Sequence, residues 1–349
     1  MSQIRFFERD PFASRSIWRE GETLCCNRAF PDIEARAARL PKPGQTGLRL
    51  TLVGLGDVGG TLLTALKLLG SEIDEIGIYD PYEPLIERYC MELGQVLERP
   101  TPRIVPRAPD RLFDCDLFLF AASRGVPPVG AQGDMRLVQF EGNRELLKQY
   151  TKQARASGFT GLFCQISDPV DLLSRCVFLQ SNRDEAGQYD WKGLLPEQVV
   201  GFGLGVMAAR ARYYARLQGL PEETIEVFGP HGKGLIVAND LQNYDEALSE
   251  RLTQQTVTAN HALRDLGFKP YIAPALSSAA ISILNLIRGK PFYGAAAMDG
   301  IFFGRRLIWT EAGPVPAMQE GLSALPQPLH ARIEQTISDL KGWEASCRL

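Results

Sequence analysis

Glycines 54, 56 and 59 follow the apolar run LRLTLV, and Asp80 closes the next apolar run 21 residues after the last of them. That spacing suits the binding of a dinucleotide. Between a strand and a helix, Gly54 permits a tight turn, Gly56 lets the backbone approach a pyrophosphate, and Gly59 lets helix and strand pack closely. The helix N-terminus adds unpaired N–H groups and positive partial charge for the anion. Asp80 can accept hydrogen bonds from both ribose hydroxyls and would repel a 2′-phosphate, which favours NAD over NADP. The alternative is a glycine-rich turn with no ligand.

A second candidate lies in VFGPHGKGL, where His231 stands between glycines; the other histidines are His261 and His330. Imidazole titrates near neutral pH and suits proton exchange with a substrate. As general acid or base it needs a carboxylate to hold it, and the sequence must supply one. A lone histidine in a turn can equally be without consequence.

These residues sit in a chain of 349 residues with 45% hydrophobic and 23% charged residues and a net charge of −3. The length suits about two domains, and the composition is that of a globular protein. The balance of charge gives no basic field for nucleic acid. Seven cysteines include no CxxC pair, so neither a zinc ribbon nor a disulfide framework is expected, and no metal site is read. Cys115 and Cys164 lie in apolar runs and are expected to be buried. The N-terminus carries charges where a signal peptide needs an apolar core. The uncharged run 270–287 contains Pro274, serines and Asn285, and reads as a buried helix rather than a membrane span. The protein is read as cytoplasmic.

Residues 1–47 read as a polar extension ending in the linker LPKPGQTG. From 48 onward strands and helices alternate. Strands are expected at 48–53, 73–80, 103–105, 115–123 and 160–167, with helices at 57–70, 84–97 and 141–158. This order predicts a doubly wound parallel sheet. Residues 181–193 read as a polar loop. A helix at 206–219, a strand at 224–229 and the His231 turn follow. From 238 the pattern is helical, and the last quarter holds a hairpin near GIFFGRRLIWT and a closing helix at 328–345.

From about 48 to 345 the chain resembles the lactate/malate dehydrogenase family. The resemblance rests on TLVGLGDVGG, FAASRGVPP, MRLVQFEGN, QISDPVDLL, VVGFGLGVMAARAR and VFGPHG, six segments in the family's order. It implies an α/β fold: a Rossmann-type doubly wound parallel sheet over 48–200, then an α+β catalytic domain of the lactate/malate dehydrogenase type over 201–349. It implies NAD as cofactor, held by Gly54, Gly56, Asp57, Val58, Gly59, Asp80, Ala121, Ala122 and Asn143. It places His231 as the acid/base, Arg210 as the clamp on a substrate carboxylate, and Arg136 as the mobile-loop arginine that polarises the carbonyl. The substrate is then a 2-hydroxy or 2-oxo acid, and a homo-oligomer is expected.

The chain also departs from the family. The family's aspartate three residues before the carboxylate-clamping arginine, which holds the histidine, is Met207 here. An analogous loss in a serine-protease triad costs about 10⁴ in rate. The asparagine of the family's Ser-Asn-Pro is Asp168, at the C-terminal end of a strand where α/β sites are built. The pair of changes suggests that Asp168 substitutes for the missing acid; the alternative is drift in a protein that has lost the reaction. The loop after Ala122 is longer than usual, and no arginine lies near Pro128, Val129 and Gly130, so malate is not supported. Lys233 follows the histidine turn, and Lys269 and Pro270 stand where a small hydroxylated residue would face substrate. Two further functions therefore stay open: an NAD-binding protein with little or no turnover, and a dehydrogenase for an amino or imino acid.

Overall fold

A computed structural model of the chain describes residues 4–7, 17–20, 23–27, 29–97, 101–124, 135–298, 300–311, 313–318 and 322–346. The elements begin with β1 (Ile4–Phe7), β2 (Ile17–Glu20), β3 (Thr23–Asn27) and α1 (Ile33–Ala37). The first alternating run is β4 (Leu48–Val53), α2 (Asp57–Leu69), β5 (Ile73–Tyr79), α3 (Glu83–Gly94) and β6 (Arg103–Pro106). The second is β7 (Leu117–Phe120), α4 (Met135–Ala156), β8 (Leu162–Gln165), α5 (Val170–Ser181) and β9 (Val199–Gly201). Then come α6 (Leu204–Leu217), β10 (Glu226–Phe228), β11 (Ile236–Ala238) and α7 (Glu246–Asp265). A π-helical stretch, Pro274–Ile281, runs into α8 (Ser282–Ile287). The described elements close with β12 (Phe292–Met298), β13 (Ile301–Thr310), β14 (Gly313–Pro316) and α9 (Gln327–Ser346).

Nine strands form one sheet in the order β14-β13-β12-β9-β8-β7-β4-β5-β6. From β6 to β9 every pairing is parallel. In chain order those six strands read 3-2-1-4-5-6, the doubly wound α/β order, whose direction of winding reverses between β4 and β7. The remaining three extend the sheet antiparallel from β9. The fold is therefore α/β with a mostly parallel central sheet.

The strand sequences explain the layering. β7 (LFLF) and β8 (LFCQ) are buried at every position, as strands covered on both faces must be. One face is covered by α2 and α8 through Leu62, Leu63, Leu66 and Ile283; the other by α4 and α5 through Phe140, Leu147, Leu172 and Val177. Cys115 and Cys164 are both buried in these cores.

Some elements differ from the periodicity. α4 begins at Met135, six residues before the expected start. α5 is not among the expected helices, and almost all of it is buried. The uncharged run is helical but only partly buried, with Ile272 and Ile281 exposed, and it has π geometry over Pro274–Ile281. Residues 29–47 pack onto the body: Phe30, Ile33 and Ala37 join the α4/α5 core, and Gly44 N–H donates to the Ile287 carbonyl at 2.7 Å.

Trp309 on β13, 2% exposed, donates its indole N–H to the Pro41 carbonyl at 2.8 Å. Trp309→Phe leaves that carbonyl without its partner and should cost about 1–3 kcal/mol. Urea unfolding should show a lower midpoint at unchanged slope.

Candidate active site

The glycine turn follows β4 directly. Gly54 has φ +92°, a conformation that disfavours any side chain, and a Cβ there would lie 2.5 Å from the Ala122 backbone nitrogen and Cα. A Cβ at Gly59 would meet the Gly54 carbonyl oxygen, so α2 starts pressed against the turn. Gly56 differs: a Cβ there would meet nothing within 4 Å. It caps α2 with no side-chain bond to the helix end, so open space lies beside the first-turn N–H groups of Asp57, Val58 and Gly59. These features fit a pyrophosphate.

Asp80 follows β5 and braces the same turn. Its carboxylate accepts from Leu55 N–H at 2.8 Å and Tyr82 N–H at 2.9 Å. Ala121 N–H donates to the Val53 carbonyl at 2.9 Å, which carries the end of β7 alongside the glycines. Asn143 is placed differently. It is 1% exposed, accepts from Arg124 N–H at 2.9 Å, and donates to the Asp168 carbonyl at 2.7 Å.

His231 lies in the turn between β10 and β11. Its backbone N–H donates to Asp171 Oδ2 at 3.1 Å, and its Nδ1 stands 3.0 Å from Asp168 Oδ1. An ionised carboxylate only accepts, so Nδ1 carries the proton. Nε2 has no hydrogen-bond partner among the described residues and is the nitrogen left to exchange a proton. The His231 side chain is 15% exposed and that of Asp168 49%. Burial alone would push the imidazole toward neutrality. The charge and hydrogen bond of Asp168, with the charge of Asp171, outweigh both burial and the opposing Arg210, and the pKa is raised above the ordinary value.

The start of α6 closes against this pair. A Cβ at Gly203 would lie 2.9 Å from His231 Cβ and from Val170 Cγ2, so glycine alone allows the approach. Ser278, from the π-helical stretch, donates to the Gly203 carbonyl at 2.6 Å and accepts from Val206 N–H at 2.9 Å. Arg210 is 9% exposed. Its guanidinium donates to Asn260 Oδ1 and reaches the Met207 sulfur at 3.7 Å. Burial pulls its pKa down, opposed by Tyr214 and Asp168. Asp168, His231 and Arg210 are thus near enough for their charges to act on one another. Met207 is 4% exposed within an apolar cluster.

The remaining sequence candidates are placed as follows. Arg136 lies in the first turn of α4, and its side chain falls outside the described residues, as do Pro128, Val129 and Gly130. Lys269 turns toward α2: its Nζ is 3.2 Å from Asp57 Oδ2 on the first turn of that helix. Asp171, Asn260 and Ser278 were not singled out from the sequence. Asp171 was legible as a second carboxylate three residues after Asp168, whereas nothing in the polar face of α7 marks Asn260. Among the described residues no cluster of three or more His, Cys, Asp or Glu could hold a metal ion. No helix there is long and apolar enough to cross a membrane.

No family model matches the chain. An L-lactate dehydrogenase 2 of Staphylococcus aureus (strain Newman) is 26% identical over 322 residues, 84% of this chain and 95% of that protein. A lactate dehydrogenase from a Medee basin deep-sea metagenome library superposes with TM-score 0.71 at 17% identity, over 87% of this chain and all of the other. A malate dehydrogenase of Archaeoglobus fulgidus, solved with NADH, gives TM-score 0.71 at 16% identity over 86% of this chain and all of that one. These two structures share the fold.

The raised pKa fixes the sign of a pH effect. Stability from the His231–Asp168 pair is fully present below about pH 6.5 and is lost as pH rises through the folded-state value. An NMR titration of the three imidazoles should find His231 above the ordinary value. Asp168→Asn should bring it down.

Proposed function

We propose that this chain, a divergent relative of the lactate and malate dehydrogenases, is an NAD-dependent oxidoreductase that interconverts a 2-hydroxy acid and its 2-oxo acid. The observation that carries the reading is the 3.0 Å contact between His231 and Asp168. It supplies the carboxylate that Met207 cannot.

The nicotinamide cofactor supplies or accepts the hydride. Gly54, Gly56, Asp57, Val58 and Gly59 hold its pyrophosphate, Asp80 its ribose, and Ala121 and Ala122 line the cleft. The dinucleotide domain is 48–200, the catalytic domain 201–349, with 1–47 as an extension. Arg210 binds the substrate carboxylate. Arg136 polarises the carbonyl. During reduction His231 gives the proton on Nε2 to the carbonyl oxygen, while Asp168, accepting from Nδ1, has stabilised the imidazolium. During oxidation the neutral Nε2 takes the hydroxyl proton.

Asp168 would repel an incoming carboxylate if its charge stood alone. Protonated His231 offsets it. Binding of a 2-oxo acid is therefore strongest below the His231 pKa, and KM for it should rise as pH passes through that value. A panel of 2-oxo acids with NADH tests the reaction itself. Asp168→Asn should lower turnover about 10²-fold or more, and adding Met207→Asp should restore part of it. A silent Asp168→Asn in an active enzyme refutes the substitution.

The second reading is a dinucleotide-binding protein without turnover. Met207 in its apolar cluster favours it, and NADH binding with no reaction across the panel would establish it. Self-association is also proposed. Met91, Leu217, Leu266, Phe268 and Ile272 are large apolar residues left exposed on α3, α6 and the segment after α7, and a second copy would cover them. Sedimentation should give a multiple of 38.6 kDa.

A further inference from the structure

Asn143 is expected from the resemblance to touch the cofactor, yet its amide is buried and committed elsewhere. At 1% exposure, its Oδ1 accepts from Arg124 N–H at 2.9 Å and from the Ser123 hydroxyl at 3.2 Å. Its Nδ2 donates to the Asp168 carbonyl at 2.7 Å. Ser123 and Arg124 follow β7; Asp168 follows β8, the adjacent parallel strand. One side chain on α4 therefore joins the C-terminal ends of two neighbouring strands. Ser167 adds a parallel tie, donating to the Ala122 carbonyl at 2.6 Å. Beyond the joint, the Asp168 side chain reaches His231 at 3.0 Å.

We propose that Asn143 is a positioning residue for the Asp168–His231 pair, fixing the backbone from which the carboxylate reaches the imidazole. It binds no ligand. The inference rests on the catalytic reading of that pair, but its mechanics do not require turnover. An amide suits the position because it presents an acceptor and a donor on opposite sides of one planar group. Alanine removes both. The Asp168 carbonyl and the Arg124 N–H then lose their partner together, and the strand ends are free to part.

The charged groups acting on the imidazole are Asp168 before α5, Asp171 on α5 and Arg210 on α6. Of these three groups Asn143 bonds only to Asp168 among the described residues, so its loss should act through Asp168. The chain holds three histidines, so NMR titration of the full-length protein without cofactor or substrate can follow His231, assigned with His231→Gln. Asn143→Ala should move the His231 midpoint down toward the ordinary value of about 6.5, in the direction of Asp168→Asn. Thr151→Val removes a buried hydroxyl elsewhere on α4. It should lower the melting temperature and leave the midpoint unchanged. NADH affinity of Asn143→Ala, read by fluorescence, should stay within about twofold of the parent.

A parental midpoint in Asn143→Ala, or in Asp168→Asn, overturns the proposal. So does a shift of equal size in Thr151→Val, or weakened NADH binding with no change at His231. If Asn143→Ala does not fold, Asn143→Thr is read in the same way, since its short side chain cannot bridge Arg124 and Asp168. A chain that turns over no 2-oxo acid yet gives the expected shifts sinks only the dehydrogenase reading.

Discussion

An imidazole shielded from water holds a proton only if a carboxylate stands beside it. At His231 that condition is met by Asp168 through the ring and by Asp171 through the backbone. Without them burial would lower the imidazole pKa, leaving the ring a weaker base and less often protonated. The rest of the site serves this contact. The cleared space at Gly203 lets α6 approach the ring. Ser278 pins the start of that helix from behind.

The sheet order decides where such a contact can form. β4 and β7 lie side by side at the point where the winding reverses, so the glycine turn and the segment 121–124 meet above them. β8 lies next, and its end delivers Asp168 to the same edge. The His231 turn reaches that edge from the far part of the chain, fastened to the antiparallel extension by Gly229 N–H donating to the Gly304 carbonyl at 2.9 Å. A parallel sheet thus gathers at one edge groups that are far apart in sequence.

Much of this was legible. The β4–glycine–α2 unit and the run through β7 and β8 could be argued from spacing and residue type, because parallel strands show apolar runs and the glycines have a steric reason to be there; the pairing of Asp168 with His231 came from the resemblance, through the departures at Met207 and Asp168. Other features left no such trace. α5 is buried nearly all round, with no exposed face to set it apart from the apolar strand before it. The π stretch 274–281 packs against α2 and α6, and its apolar composition does not distinguish it from an α-helix. Residues 29–47 look polar, yet place Phe30, Ile33 and Ala37 in the core at intervals a linker could equally show. Asn143 was recognised by position, but its burial could be seen only once both strand ends were in place.

On the proposed reading, an acid at 168 in place of one at 207 would change more than the partner of the histidine. A carboxylate at 207 would sit on the same helix as Arg210, three residues before it. There the methionine sulfur touches the guanidinium, and the other partner, Asn260, is neutral. Neither of these two partners offsets the charge of the arginine. The Asp168 side chain, in turn, is 49% exposed, and an isolated negative charge there would work against an anionic substrate. Counting Asp168, His231 and Arg210 alone, the site carries one net positive charge while the imidazole is protonated and none once it is neutral. In the proposed reaction the proton on His231 would thus also set the charge that meets the substrate's carboxylate, tying binding and proton transfer to one titrating group.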